Sequence, residues 1–188
     1  MRHKMFRIVM LLGLSLSVGG GVYLQTAMAA PPAGRPIMWV NHFDLLPGDP
    51  SVVSTSANST SSGVGGGLTG LVITSTTVGE IDSFGGNKVV HMALDLPKKT
   101  KIKRVRVCYE LSSKSSFISQ IRLAQVQNPP SSALVLLDDG TDLVDPGPTC
   151  VDSAPTTVRS QNGSVLLSLR VNFGSIDDKI VVRAIGLK

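Results

Sequence analysis

Six cations crowd nine positions of this chain: Lys98, Lys99, Lys101, Lys103, Arg104 and Arg106. Clustered ammonium and guanidinium groups attract polyanions such as acidic polysaccharide, phosphate or a membrane surface through summed Coulomb forces that salt weakens. The same charges also suit a solvated turn leading into an edge strand, where they discourage other strands from pairing, and the sequence favours that plainer role. Nucleic acid is not expected as a partner, because no aromatic side chain interleaves with the cations and the chain reads as exported. A second concentration of charge, Asp138, Asp139, Asp142 and Asp145, surrounds Gly140 and runs into Pro146-Gly147. Carboxylates in a Gly-containing loop supply the oxygen ligands that calcium needs. The spacing departs from an EF-hand loop, and Asp beside Gly and Pro is also ordinary turn chemistry. No cofactor is expected, and calcium is the one alternative the sequence admits.

Two further residue types could do chemistry. His42 and His91 each have an acid nearby, Asp44 and Asp95, but there is no Gly-x-Ser-x-Gly and no His-Glu-x-x-His around them. A hydrolase would have to assemble its site from one of these histidines and scattered acids. Exposed aromatic rings offer apolar faces for sugar rings. Beyond the first thirty residues the aromatics are Trp39, Phe43, Phe84, Tyr109, Phe117 and Phe173. Tyr109 and Phe173 fall on apolar faces that read as core, which leaves few platforms for sugar, with Trp39 the residue to test for a carbohydrate-binding role.

The amino terminus bears on compartment. A basic start at 1–7 is followed by an apolar run at 8–24 and by Ala27-Met28-Ala29, the order of a cleavable signal peptide over 1–29. Removing it takes Lys and Arg from 18 to 15 against 13 acids, so the net charge falls from +5 to +2. The high charge of the precursor therefore belongs partly to its leader. No transmembrane segment is expected after processing, and a secreted or periplasmic location follows. In such a compartment Cys108 and Cys150, with no other Cys, read as one disulfide. Closing a loop of about 43 residues stabilises by roughly 3 to 4.5 kcal/mol in the chain-entropy view.

The elements that must position these residues are strands. Pro and Gly lead in over 30–35, and a first strand is expected at 37–43. Ser, Thr and Gly dominate 51–67 and predict a loop or linker; Asn58 and Asn162 open glycosylation sequons. Strands follow at 71–77, 89–96, 102–111, 117–126, 133–137, 165–173 and 179–187. In 102–111, Val105, Val107, Tyr109 and Leu111 alternate with Arg104, Arg106, Cys108 and Glu110, the period of a half-buried strand. In 165–173 the alternation of Val165, Leu167, Leu169, Val171 and Phe173 is clearer still, and Asn162-Gly163 before it is a hairpin signal. No helical stripe appears. The chain thus divides into a signal peptide (1–29), a lead-in, first strand and Ser/Thr/Gly-rich loop (30–70), and a core (71–188) to which 36–46 adds a strand. The expected fold is all-β, an antiparallel β-sandwich of jelly-roll kind with one disulfide. The runs LDLP (94–97), RVRVCYEL (104–111) and FISQIRL (117–123) resemble secreted bacterial sandwich domains, a resemblance that implies fold alone. The function expected is non-enzymatic binding or assembly at the cell exterior. The alternatives are a hydrolase using His42 or His91, and a polyanion or carbohydrate-binding module. A polysaccharide or other cell-surface component is the partner class, and exposed sheet edges would allow a homo-oligomer.

Overall fold

A computed structural model describes residues 36–57, 70–97, 99–126, 133–160 and 164–188. The expected signal peptide, the lead-in at 30–35, the Ser/Thr/Gly-rich stretch from 58 to 69 with its sequon at Asn58, Lys98, and the expected Asn162-Gly163 turn lie outside the described residues. In chain order the strands are β1 (Met38–Val40), β2 (Leu46–Pro47), β3 (Val53–Ala57), β4 (Leu71–Ser75), β5 (Val89–Leu94), β6 (Lys101–Ile102), β7 (Val105–Leu111), β8 (Phe117–Val126), β9 (Ala133–Asp139), β10 (Thr149–Asp152), β11 (Val158–Arg159), β12 (Val165–Asn172) and β13 (Ile180–Leu187). One sheet runs β10-β7-β13-β4-β3, with β1 also pairing β13; the other runs β2-β5-β12-β8-β9, and β6 with β11 makes a separate ribbon. All pairings are antiparallel. From β4 onward the chain crosses repeatedly between the sheets, which gives the sandwich its jelly-roll character.

The two sheets face each other because one face of each is apolar. In β12, Val165, Leu167, Leu169 and Val171 are buried and the intervening residues half-buried, the alternation its sequence carries. Tyr109, Ile121, Leu123, Leu167, Leu169, Phe173 and Ile180 are fully buried in one continuous core, each burial contributing roughly 1.5 to 3 kcal/mol before chain entropy is subtracted. The alternation in β7 holds only on its inner side. Cys108 and Glu110, expected to face solvent, are buried as well, because a disulfide covers one and the Arg183 guanidinium pairs with the other.

Three local departures have simple causes. The expected strand at 37–43 stops at Val40, because the Asn41 carboxamide accepts from the Phe43 amide (3.3 Å) and donates to Asp44 (2.9 Å), capping a 3-10 turn over His42–Asp44. Part of the expected loop forms β3, which buries Val53 and pairs with β4 through backbone bonds and a Ser54–Thr74 hydroxyl contact of 2.8 Å. The short strands β10 and β11 carry too few residues to show a period.

Two buried charges join the loops to the sandwich. Lys88 is fully buried, and its ammonium donates to the carbonyls of Thr77 (2.6 Å), Gly79 (3.0 Å) and Val78 (3.1 Å) while lying 5.9 Å from the Phe173 ring centre. Burial draws its pKa below the ordinary lysine value. Asp49, also buried, accepts from the Ser51 hydroxyl (2.6 Å) and amide (2.9 Å), and from the Ser83 hydroxyl and amide (3.0 Å). The two hydroxyls, Ser51 first, hold its carboxyl well below the usual carboxylate range.

Lys88→Met keeps the apolar stem and leaves three carbonyls without their donor, so urea unfolding should show a loss of about 2 kcal/mol or more. Asp49 makes its contribution as the carboxylate. Its folded pKa is depressed, so that stability is present above the ordinary value near 3.9 and is lost as pH falls through the folded pKa. Asp49→Asn should therefore lower the urea midpoint at pH 6, and the gap to the unchanged protein should shrink as the buffer is taken below about pH 4.

Candidate functional site

The outer face of the first sheet gathers one row of side chains from four strands. Trp39 on β1 is opposite Gly186 on β13, Gly186 is opposite Arg106 on β7, and Arg106 is opposite Asp152 on β10. Their neighbours Ile185, Leu187, Val105 and Val107 are buried in the core, so period two sends this row outward. Gly186 is there because nothing larger fits. A Cβ at that position would run into Ile37 and lie 3.1 Å from Cε3 and Cζ3 of Trp39. The indole thus lies over a strip of bare backbone and remains 54% exposed.

Beside it the charges are ordered. Arg106 Nε donates to Asp152 Oδ1 (2.6 Å) and Nη2 to Oδ2 (3.1 Å), while Lys188 Nζ reaches the same Oδ2 at 2.6 Å. The Arg106 hydrogen bond, then Lys188, holds the Asp152 carboxyl below its usual range, and Asp152 in turn raises Arg106. The disulfide Cys108–Cys150 lies two residues along the same pair of strands, joining directly opposed positions of β7 and β10. An aromatic plate next to a fixed guanidinium, carboxylate and ammonium can stack on a ring while hydrogen-bonding its hydroxyls.

The other expected site residues are dispersed. In the basic run, Lys99 sits in a turn at φ 67° with its amide on the Ser160 carbonyl (3.0 Å). Lys101, Lys103 and Arg104 are exposed, and Arg106 is committed to Asp152, so the run is not one uniform cationic strip. The acidic loop does not converge. Asp138 pairs with Arg122 (3.1 Å) and Gln120, Asp139 accepts from the amides of Ala154 (2.6 Å) and Thr141 (3.1 Å), and Asp145 accepts from the Gly147 amide (3.0 Å). Asp142 is exposed. Among the described residues no group of three or more His, Cys, Asp or Glu could hold a metal ion; Asp139 and Asp145 cap turns and Asp138 pairs with side chains. His42 stacks near Phe43, with ring centres 4.2 Å apart, and its buried Nε2 has no hydrogen-bond partner. Desolvation lowers its pKa. His91 lies on the other sheet in register with Leu46 and Ser168. Among the described residues neither histidine forms an ion pair with a carboxylate.

No protein family and no curated protein matches the chain in sequence. Among solved structures it is similar to the CBM22-1–GH10 modules of Clostridium thermocellum endo-1,4-beta-D-xylanase 10B complexed with xylohexaose: TM-score 0.52, 10% identity, 81% of this chain and 28% of that one. It also matches the CBM22-1 xylan-binding domain of Paenibacillus barcinonensis Xyn10C (TM-score 0.46, 12% identity, 80% of this chain and 85% of that one). A third match is carbohydrate-binding module CBM36 in complex with calcium and xylotriose (TM-score 0.44, 12% identity, 81% of this chain and 100% of that one). The chain thus spans under a third of the length of the first of these structures. At such identity the likeness is one of fold, an antiparallel β-sandwich of the kind found in carbohydrate-binding modules. Among the described residues no helix is long and apolar enough to cross a membrane.

Gly186→Ala tests how Trp39 is seated. The added methyl should displace the indole and cost about 1 to 3 kcal/mol. Because Trp39 is the only Trp, its emission spectrum should shift with the substitution and report the displacement directly.

Proposed function

We propose that this protein is a secreted, non-enzymatic polysaccharide-binding module that holds its ligand on the outer face of the first sheet. The observation that carries the reading is Trp39, an exposed indole fixed over Gly186 in a row with Arg106 and Asp152. In this reading Trp39 supplies the stacking surface, and Arg106, Asp152 and Lys188 supply oriented donors and acceptors for sugar hydroxyls. Because the charged groups already hold one another, little side-chain entropy is lost when ligand arrives. The fold likeness to a xylanase structure containing a CBM22-1 module and xylohexaose supports the ligand class. The signal-peptide pattern at 1–29 supports delivery to the cell exterior, where polysaccharide is found.

Affinity electrophoresis through gels containing soluble polysaccharides tests the proposal. At least one polymer should retard the unchanged protein, and Trp39→Ala should weaken that retention about tenfold or more while leaving urea unfolding cooperative. Equal retention of the Trp39→Ala protein, or no retention by any polymer, would overturn the assignment.

A further inference from the structure

We propose a second site on the same molecule: a groove at the β6–β11 ribbon that takes the carboxylate or sulfate groups of an acidic polysaccharide. The groove has a volume of about 380 Å³ and is lined by Lys101, Lys103, Arg104 and Arg159, with Pro155 and Thr157 among its other walls and, among the described residues, no Asp or Glu. That volume is within the range of ordinary ligand pockets. Among the described residues three of its cations lack the carboxylate partner that five other cations of the chain have. Arg106, Arg122, Arg170, Arg183 and Lys188 each lie within ion-pair distance of a carboxylate. Among the described residues Lys101, Lys103 and Arg159 do not, and all three are exposed.

Register sharpens the point. Arg159 is directly opposite Lys101 across the ribbon, and like charges in that position repel. The ribbon holds despite this because Ile102 and Val158 are buried on its other side, and because Ser160 closes it through its amide to the Thr100 carbonyl (2.9 Å) and its carbonyl to the Lys99 amide (3.0 Å). A pair of cations held together with no counter-ion favours an anion from outside. Arg104 is anchored by Nη1 on the Ser153 carbonyl (3.0 Å) and presents a planar fork suited to a carboxylate or sulfate. Among the described residues no aromatic lines the groove, so they offer nothing for a nucleic-acid base to stack on, and its concavity suits a chain more than a flat lipid surface.

The polymer's identity as a glycan rests on the polysaccharide-binding reading given above. The groove adjoins that face: the Lys188 amide bonds the Arg104 carbonyl (3.0 Å), and Lys188 is two residues, roughly 7 Å of strand, beyond Gly186. A polymer stacked on Trp39 could therefore extend its acidic groups into the groove.

The test uses three proteins, Lys101→Glu, Arg159→Ser and Trp39→Ala, and three probes: polygalacturonate, heparin and a neutral β-glucan, each at low and several-fold higher salt. Lys101→Glu places a carboxylate opposite Arg159, so it should leave the melting temperature unchanged or higher while weakening an acidic polymer at least tenfold. Arg159→Ser should weaken it too, and binding by the unchanged protein should fall steeply with salt. Loss on polygalacturonate alone, or on heparin alone, would identify carboxylate or sulfate as the group read. The groove proposal fails if neither substitution in it alters acidic-polymer binding, or if acidic and neutral polymers bind alike at both salt levels. Those results leave the Trp39 reading intact when Trp39→Ala still abolishes retention. Conversely, unchanged retention of Trp39→Ala alongside loss in Lys101→Glu would keep the groove and remove the stacking face.

Discussion

One extra residue in β13 decides what the first sheet shows to solvent. Ile180 and Val182 are in register with Leu111 and Tyr109 and point into the core, but the pairing slips between Val182 and Ala184. Beyond the slip it is Ile185 and Leu187 that are buried, opposite Val107 and Val105. Arg183 is the inserted residue. A β-bulge of this kind exchanges the two faces of everything that follows. Without it Gly186 and Lys188 would point inward, Ile185 and Leu187 would face water, and Trp39 would have no bare backbone to lie over. The bulge also turns Arg183 toward Glu110, whose side chain is only 1% exposed. A buried carboxylate left alone would cost several kcal/mol, so the pair fixes the bulge as much as the bulge places the pair.

Charge is handled differently inside and outside this framework. Lys88 replaces its hydration shell with three carbonyls, and Asp49 replaces its own with two hydroxyls and two amides. Arg106, Asp152 and Lys188 satisfy one another at the surface. Against that background the cations around the β6–β11 ribbon differ in kind, since two of them are set opposite each other by backbone register. Surface ion pairs contribute little to stability in general. Their distribution here is more informative about binding than about folding.

How far the sequence reveals this depends on length and on which face is covered. β12 was legible because eight residues alternate without interruption, and the disulfide because two cysteines allow one pairing. β10 and β11 were not, since four and two residues carry no period, and with them went Asp152 and Arg159. Trp39 could be singled out by residue type alone. Its partners could not, because Gly186, Arg106 and Asp152 are far apart in the chain and meet only through register. The phase change in IVVRAIGL was the available signal, with apolar residues at 180 and 182 giving way to 185 and 187. Adjacency in sequence grouped Arg106 with the lysines, whereas strand pairing sets it against Asp152; Lys101, Lys103 and Arg104 of the same run stay exposed.

The disulfide connects these observations. Cys108 and Cys150 are opposed on β7 and β10, and two residues further along the same strands, on the same face, Arg106 and Asp152 are opposed in turn. β10 is a four-residue edge strand with one neighbour, so few backbone bonds fix its register. A covalent link two positions from Asp152 removes the one-residue slip that would turn the carboxylate to the inner face. With Asp152 fixed, Arg106 has one carboxylate to grip with Nε and Nη2, and Lys188 takes a second donor's place on Oδ2. The bridge therefore stabilises the fold by constraining the unfolded chain, and in the folded chain it sets the edge on which the polar half of the Trp39 row is built.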